Sequence, residues 1–302
     1  MKRTASLLVL LLLVNDAGWA ARCTTAVDTR VLEEYEHYVR NAEQSMAERF
    51  TKGFASTAGD DRNRLLMDLQ GGSAVRWNVT EESVNQRIAP VNGTVLDWVG
   101  AVRIRNSTIS DLRSVLEDYG NCGAIYEPLM YDCHARKVDG GSAYDLAFGM
   151  QNVYRGATIF PQHYAFAVKA RAEYLDESSR PELALRVHSR AYEIRESDSG
   201  VPGRSDLLEP YHDHGVLWGL NTYWRAKTDG PDLYVEFEAI TLHRSVQEFM
   251  CKIGMIPVPK YLISRVMEAL PGESIDVMLA GTKAETERRS ARRSPRASRS
   301  QN

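Results

Sequence analysis

Several familiar signatures are missing from this 302-residue chain, and each absence removes a class of function. There is no GxSxG, so a hydrolase serine has no elbow on which to sit. There is no GxGxxG or GxxxxGK[ST], so nucleotide binding lacks its usual phosphate cradle. The four cysteines, Cys23, Cys122, Cys133 and Cys251, contain no CxxC pair, which indicates neither a zinc ribbon nor a thioredoxin-type redox site. A large excess of either charge is also lacking: the formal balance is -3, which by itself points to no class of partner. After Val14, no stretch approaches the roughly 20 apolar residues that span a bilayer.

The one unbroken apolar run is Leu7 to Val14. It follows Lys2 and Arg3 and precedes the small-residue stretch Ala17-Gly18-Trp19-Ala20-Ala21, the order of a secretory signal peptide. The expectation is cleavage after Ala20 or Ala21 and a secreted or periplasmic protein of about 280 residues; an uncleaved anchor is the alternative. A lipoprotein site at Cys23 is disfavoured by Arg22. Export permits disulfides. Cys122 and Cys133 are the better candidate pair, since they would close a short loop worth roughly 2–3 kcal/mol; idle thiols remain the other reading. At the far end, Arg288, Arg289, Arg292, Arg293, Arg296 and Arg299 join Lys283 against only Glu285 and Glu287. Residues 284–302 therefore read as a disordered basic tail, either a solvated end or a weak contact for an anionic membrane surface, with no specific nucleic acid.

Between these ends the periodicity is informative. Val31, Tyr35, Tyr38, Ala42, Met46 and Phe50 form one stripe on a helix from Asp28 to Phe50. A shorter helix covers Arg62 to Gln70 and ends at Gly71-Gly72. Ser73–Val79 and Thr94–Ile104 read as strands. Ser110 is the expected N-cap of a helix over Asp111–Tyr119. Segments near Glu127–Lys137, Ala143–Tyr154, Tyr164–Tyr174, Glu182–Arg195, Val216–Lys227 and Leu233–His243 are bounded by turn residues, as in an antiparallel meander. Asp229-Gly230 marks the last hairpin. Val246–Gly254 and Tyr261–Leu270 are apolar-rich, split by Pro257 and Pro259, and Pro271 is expected to open a final helix. The order gives an α+β class, with helices covering faces of one antiparallel sheet.

Three stretches carry a family likeness: TISDLRSVLEDYGNCGAIYEP from Thr108 to Pro128, HDHGVLWGLNTYWRAKTDGPDLYVEFEAITLHRSV from His212, and ALPGESI from Ala269. In this order they resemble the early helix, terminal hairpin and final helix start of START-related (SRPBCC, polyketide cyclase-like) proteins, in particular uncharacterised bacterial members. The resemblance covers roughly residues 74–282 and departs at Gly219 and Gly272, where an arginine would be expected. It implies a helix-grip fold: a curved antiparallel sheet wrapped on a long C-terminal helix around a hydrophobic tunnel, here with an extra N-terminal helix. The implied organisation is a signal peptide over residues 1–21, a helical segment over 22–72, a START-like domain over 73–283 and the tail. It also implies an apolar ligand, and in a few members cyclisation or hydrolysis.

Strand alternation then nominates walls. On Val216–Lys227 one face carries Trp218, Leu220, Thr222 and Trp224, and the other Leu217, Gly219, Asn221, Tyr223 and Arg225. On Leu233–Thr241, Val235, Phe237 and Ala239 oppose Tyr234, Glu236, Glu238 and Ile240. The candidate ligand-binding residues are Trp98, Phe148, Phe166, Trp218, Trp224, Val235, Phe237, Met267 and Met278, with Thr222 as the lone polar contact; the methionines suit a malleable pocket. A solid, dry core is the competing reading, and a pocket near ~300 Å³ would separate the two.

A cyclase/aromatase- or hydrolase-like enzyme would instead need Tyr223, Arg225 and Glu236 inside. Glu236 and Glu238 share a face, which could raise one pKa for general-acid work or could be a solvated strand face. His212-Asp213-His214 has the donor types of a zinc or iron site, with His188 or His243 as a third ligand. Loop neighbours rarely converge on one ion, so a polar contact is preferred, and no metal, cofactor or catalytic residue is assigned. Asn78-Val79-Thr80, Asn92-Gly93-Thr94 and Asn106-Ser107-Thr108 match the glycosylation triplet, which matters only in a eukaryotic secretory host. The leading expectation is an exported, monomeric binder of one hydrophobic small molecule (lipid, isoprenoid or polyketide-like), with a structural or interaction protein as a further alternative.

Overall fold

The computed structural model describes residues 24–52, 62–79, 93–138, 142–153, 163–175, 185–244 and 260–293. The N-terminal apolar run, Cys23, Asn92, Val246–Gly254 with Cys251, and residues 294–302 lie outside them. Two short strands, β1 (Thr25–Ala26) and β8 (His212–Asp213), pair with each other. The remaining strands are β2 (Val75–Asn78), β3 (Gly93–Ile104), β4 (Met130–Lys137), β5 (Ala143–Val153), β6 (His163–Leu175), β7 (Leu185–Glu196), β9 (Gly219–Asp229) and β10 (Asp232–Arg244). They form one eight-stranded sheet in the order β2-β3-β10-β9-β7-β6-β5-β4, antiparallel throughout. Register shifts on β4 between Tyr131 and His134, and at the β6–β7 pairing between Lys169 and Ala170, insert extra residues that bend the strands. The helices are α1 (Thr29–Lys52), α2 (Arg62–Gly71), α3 (Ile109–Leu116), α4 (Cys122–Ile125) and α5 (Lys260–Arg293). A large antiparallel sheet gripping a long C-terminal helix is the α+β helix-grip arrangement.

The two sheet faces are covered differently. On the inner face, Ile275 and Leu279 of α5 sit fully buried in the main core with Val102, Ile104, Leu233 and Val235. They approach Gly100 of β3 so closely that a β-carbon there would lie 2.3 Å from Ile275 Cγ2 and 2.6 Å from Leu279 Cδ1. Only glycine admits the helix at that distance. At Gly281 a β-carbon would meet the Ile125 carbonyl oxygen of α4 at 2.1 Å, so the same helix is also seated against α4 by a missing side chain. On the outer face, α1 lays Val31, Tyr35, Val39, Ala42 and Met46 against Val95, Tyr223, Ile240 and Leu242. Leu65 and Leu69 of α2 cover Val75, Trp77, Val99 and Ala101. β10 is consequently buried almost throughout, whereas β4, at the far edge, is mostly exposed or half-buried. This is why the alternation of β10 is apolar on one side and mixed on the other, and not apolar against solvent.

Three sequence expectations need correction. The N-cap of α3 is Thr108, not Ser110: Thr108 Oγ1 accepts the Asp111 backbone N–H and Asp111 accepts the Thr108 N–H, a reciprocal capping box that outcompetes the later serine. Pro271 does not open a helix; α5 already starts at Lys260 and runs through it. A mid-helix proline costs one backbone hydrogen bond, and the packing of the following turns on β3 offsets that loss. The basic stretch 284–293 is not a disordered tail. Its arginines meet carboxylates on and beside α3, Arg293 bonding Asp111 at 2.6 Å and Arg289 pairing with Asp118, while Arg289 also pairs with Glu285 one turn earlier on α5. Arg289 Nη1 also donates to the Ser114 carbonyl at 2.6 Å. Composition counts charge but cannot see where the counter-charges fold, and these pairs leave fewer of the basic groups for an anionic surface.

Replacing Gly281 with alanine is expected to force α5 away from α4 and to destabilise the protein by about 1–3 kcal/mol. Urea unfolding of Gly281→Ala should show a lower midpoint with an unchanged slope.

Candidate functional site

Because α5 lies over the β3–β10 end of the sheet, the inner faces of β5, β6, β7 and β9 extend beyond it. The space they leave is a cavity of about 160 Å³, bordered by the α3–α4 turn, the segment Val216–Leu217 and the Ile275–Met278 turn of α5. Phe148, Phe166, Thr222, Trp224, Phe237 and Met278 line it, and for Thr222, Trp224 and Phe237 this is the face that strand alternation assigned. Trp224 and Phe237 face each other with ring centroids 4.4 Å apart. Small residues, Ala170, Ala172, Ala191 and Ala239, make the room.

Three of the nominated residues are placed elsewhere. Trp98 is on the inner face of β3 but packs against the core beside α5, with the Arg76 guanidinium 5.9 Å above its ring. Val235 is fully buried in that same core. Neither borders the cavity, because Ile275 and Leu279 fill the space over β3. Trp218 turns to the outer face and packs with Tyr35 and Leu242. β9 begins only at Gly219, so the irregular backbone before it breaks the alternation that nominated Trp218. The Met267 side chain lies outside the described residues. Volume is a further difference: the cavity is about half the ~300 Å³ that would take a drug-sized ligand. It is of the order that holds one benzene-sized ring, for which about 150 Å³ suffices.

The cavity has more polar groups than the single threonine expected. Thr241 and His243 of β10 line it as well. His243 is wholly buried; its Nδ1 donates to the Val216 carbonyl, and its Nε2 lies 2.7 Å from Thr241 Oγ1. Burial pushes this imidazole down to about 4, so the ring is neutral at pH 7. Continuing the period of two from Phe237 through Ala239 would have placed both residues on the inner face. Near the α3–α4 turn, the hydroxyls of Tyr119 and Tyr174 are 3.0 Å apart and both line the cavity. Burial raises both phenols far above their ordinary range, so both remain O–H groups. Two hydroxyls that share one hydrogen bond keep one proton to offer. Cys122 and Cys133 are joined as a disulfide in this wall, with Cα atoms 6.1 Å apart.

The charged residues of the hairpin are on the other side of the sheet. Arg225 pairs with Glu238 and lies 3.4 Å from Glu236, all three side chains nearly or fully buried on the outer face. The solvated strand face expected for the glutamates is therefore covered. Tyr223 donates to Glu43 of α1 at 2.9 Å and stacks on His188. The histidines do not converge either: His188 is on the outer face, His243 on the inner, and His212 is exposed. Among the described residues no group of three or more His, Cys, Asp or Glu side chains is arranged to hold a metal ion. Asp213 accepts the Gly215 N–H and the Trp218 indole N–H, each at 2.8 Å, while His214 Nδ1 lies 3.1 Å from Glu196. Burial, and behind it the Glu196 carboxylate, push Asp213 up to about 6.

No protein-family model matches the chain, and no curated protein does. Solved structures do match. One is the ZhuI aromatase/cyclase from Streptomyces sp. R1128, at 14% identity and TM-score 0.42 over 65% of this chain and 95% of that one. Another is a START superfamily protein from Mycobacterium smegmatis, at 11% identity and TM-score 0.38 over 64% and 97%. A third is human STARD10, at 10% identity and TM-score 0.37 over 74% and 79%.

The Asp213 environment makes a pH prediction. A carboxyl raised in the folded state binds more protons there than in the unfolded chain, so its contribution falls as pH rises from about 4 to about 6. Asp213→Asn keeps both accepted hydrogen bonds without the titration. Its stability relative to the parent is therefore expected to rise by about 2–3 kcal/mol between pH 4 and pH 7 in urea unfolding. A flat difference would contradict the assignment.

Proposed function

We propose that this chain is an exported binding protein that holds one small apolar molecule, or one apolar ring of a larger one, in the cavity between the sheet and α5. The observation that carries the reading is the wall itself: Phe148, Phe166, Trp224, Phe237 and Met278 around a space that side chains leave open. Each ligand CH₂ buried there would contribute about 0.8 kcal/mol. Tyr223, Arg225 and Glu236, the residues a cyclase- or hydrolase-like reading required inside, face away from the cavity, which favours binding over that chemistry. Export is supported by the Lys2–Ala21 segment and by the Cys122–Cys133 disulfide, since such bonds persist in oxidising compartments.

Two measurements test this. Organic extraction of the purified protein followed by mass spectrometry is expected to release a bound apolar compound; a protein that is empty and also ignores single-ring hydrocarbons, fatty acids, sterols and isoprenoids overturns the reading. Ala170→Leu fills the cavity from β6. It is expected to weaken binding of an apolar probe such as toluene at least tenfold while leaving stability unchanged or higher. In a solid core the same insertion would cost about 1–3 kcal/mol, so calorimetry distinguishes the two cases.

A further inference from the structure

We propose that the polar end of the cavity selects a ligand that donates a hydrogen bond, an alcohol or phenol hydroxyl, to Thr241 Oγ1. The inference rests on the binding reading above and follows from counting protons along one chain of groups. The Val216 carbonyl can only accept, so the His243 nitrogen beside it, Nδ1, carries the ring proton. In a neutral imidazole the other nitrogen then has only a lone pair. Thr241 sits 2.7 Å from that lone pair and must supply its hydroxyl proton to it. The Leu96 carbonyl, 3.3 Å from the same hydroxyl, is the more distant acceptor and does not displace this bond. With its one proton committed to His243, Thr241 Oγ1 has only acceptor capacity left for a ligand. A ligand carbonyl or carboxylate placed there would set lone pair against lone pair. A hydroxyl would extend the chain to ligand O–H, Thr241, His243 and Val216. The tyrosine pair near α3 has the opposite sense, since it retains a proton, so the two polar ends of the cavity are not interchangeable.

The test is a matched series of single-ring probes titrated by NMR: toluene, phenol, anisole and benzaldehyde, with cyclohexanol and methylcyclohexane to tell an aromatic from an alicyclic alcohol. On the unaltered protein, phenol or cyclohexanol is expected to bind more tightly than anisole and benzaldehyde. In Thr241→Val the affinity of the hydroxyl compounds relative to their hydrocarbon counterparts should fall about five- to tenfold, whereas Thr241→Ser should retain it. If toluene and methylcyclohexane fail to bind at all, the cavity reading fails with the inference. If they bind but benzaldehyde matches or exceeds phenol, or Thr241→Val leaves the ratio unchanged, the donor selectivity alone is overturned. Should the valine variant not fold, the order of affinities on the unaltered protein decides the question.

Discussion

The contact between α5 and β3 sets the geometry of everything on the inner face. Ile275 and Leu279 reach the sheet at Gly100 because no side chain stands there, and this pins the helix over the β3–β10 end. A helix covers only a strip of a sheet eight strands wide. The strip that remains, over β5 to β7 and β9, is apolar and must be filled by loops or left open. The α3–α4 turn and Val216–Leu217 fill its margins; the alanines of β6, β7 and β10 leave the middle unfilled. The cavity is thus a remainder of where the helix is fixed, and its walls are aromatic because they are the inner face of a sheet that folded for burial.

The same alternation that makes one face of β9 and β10 apolar loads the other with charge. Arg225, Glu236 and Glu238 occur in a run that also carries Trp224, Val235 and Phe237, and the pleat separates the two sets. The cavity face and the ionic face are therefore back to back on the same strands, with α5 on one side and α1 and α2 on the other. Changes to the ionic side can reach the cavity only through the strands themselves.

Much of this was legible in the sequence where local rules act alone. The period of two located the main strands and set Thr222, Trp224 and Phe237 on the cavity side, and the stripe of α1 named Val31, Tyr35, Ala42 and Met46 of its buried face but not Val39. The failures have common physics. Trp218 was misassigned because a strand's period was extended across irregular backbone that a buried Asp213 holds in place. The continuous α5 and the docked arginines were hidden because proline and basic composition are local signals, while the compensating contacts come from Gly100, Asp111 and Asp118, far away in the chain. Thr241 and His243 continue the period of two set by Phe237 and Ala239, so the sequence does carry a signal for their inward placement.

The position of α1 has a consequence for what counts as one unit of this protein. Tyr35 donates to the Ile240 carbonyl and accepts from Asn221, Tyr38 donates to Asp97, and Glu36 and Glu43 engage Arg190 and Tyr223, so the helix answers polar groups on the back of β3, β7, β9 and β10. A sheet stripped of that helix would turn Val95, Ile240 and Leu242 out to water and forfeit their burial. The helix ahead of the large sheet is accordingly part of the same folding unit, and a chain shortened to the sheet and α5 would be a poorer one.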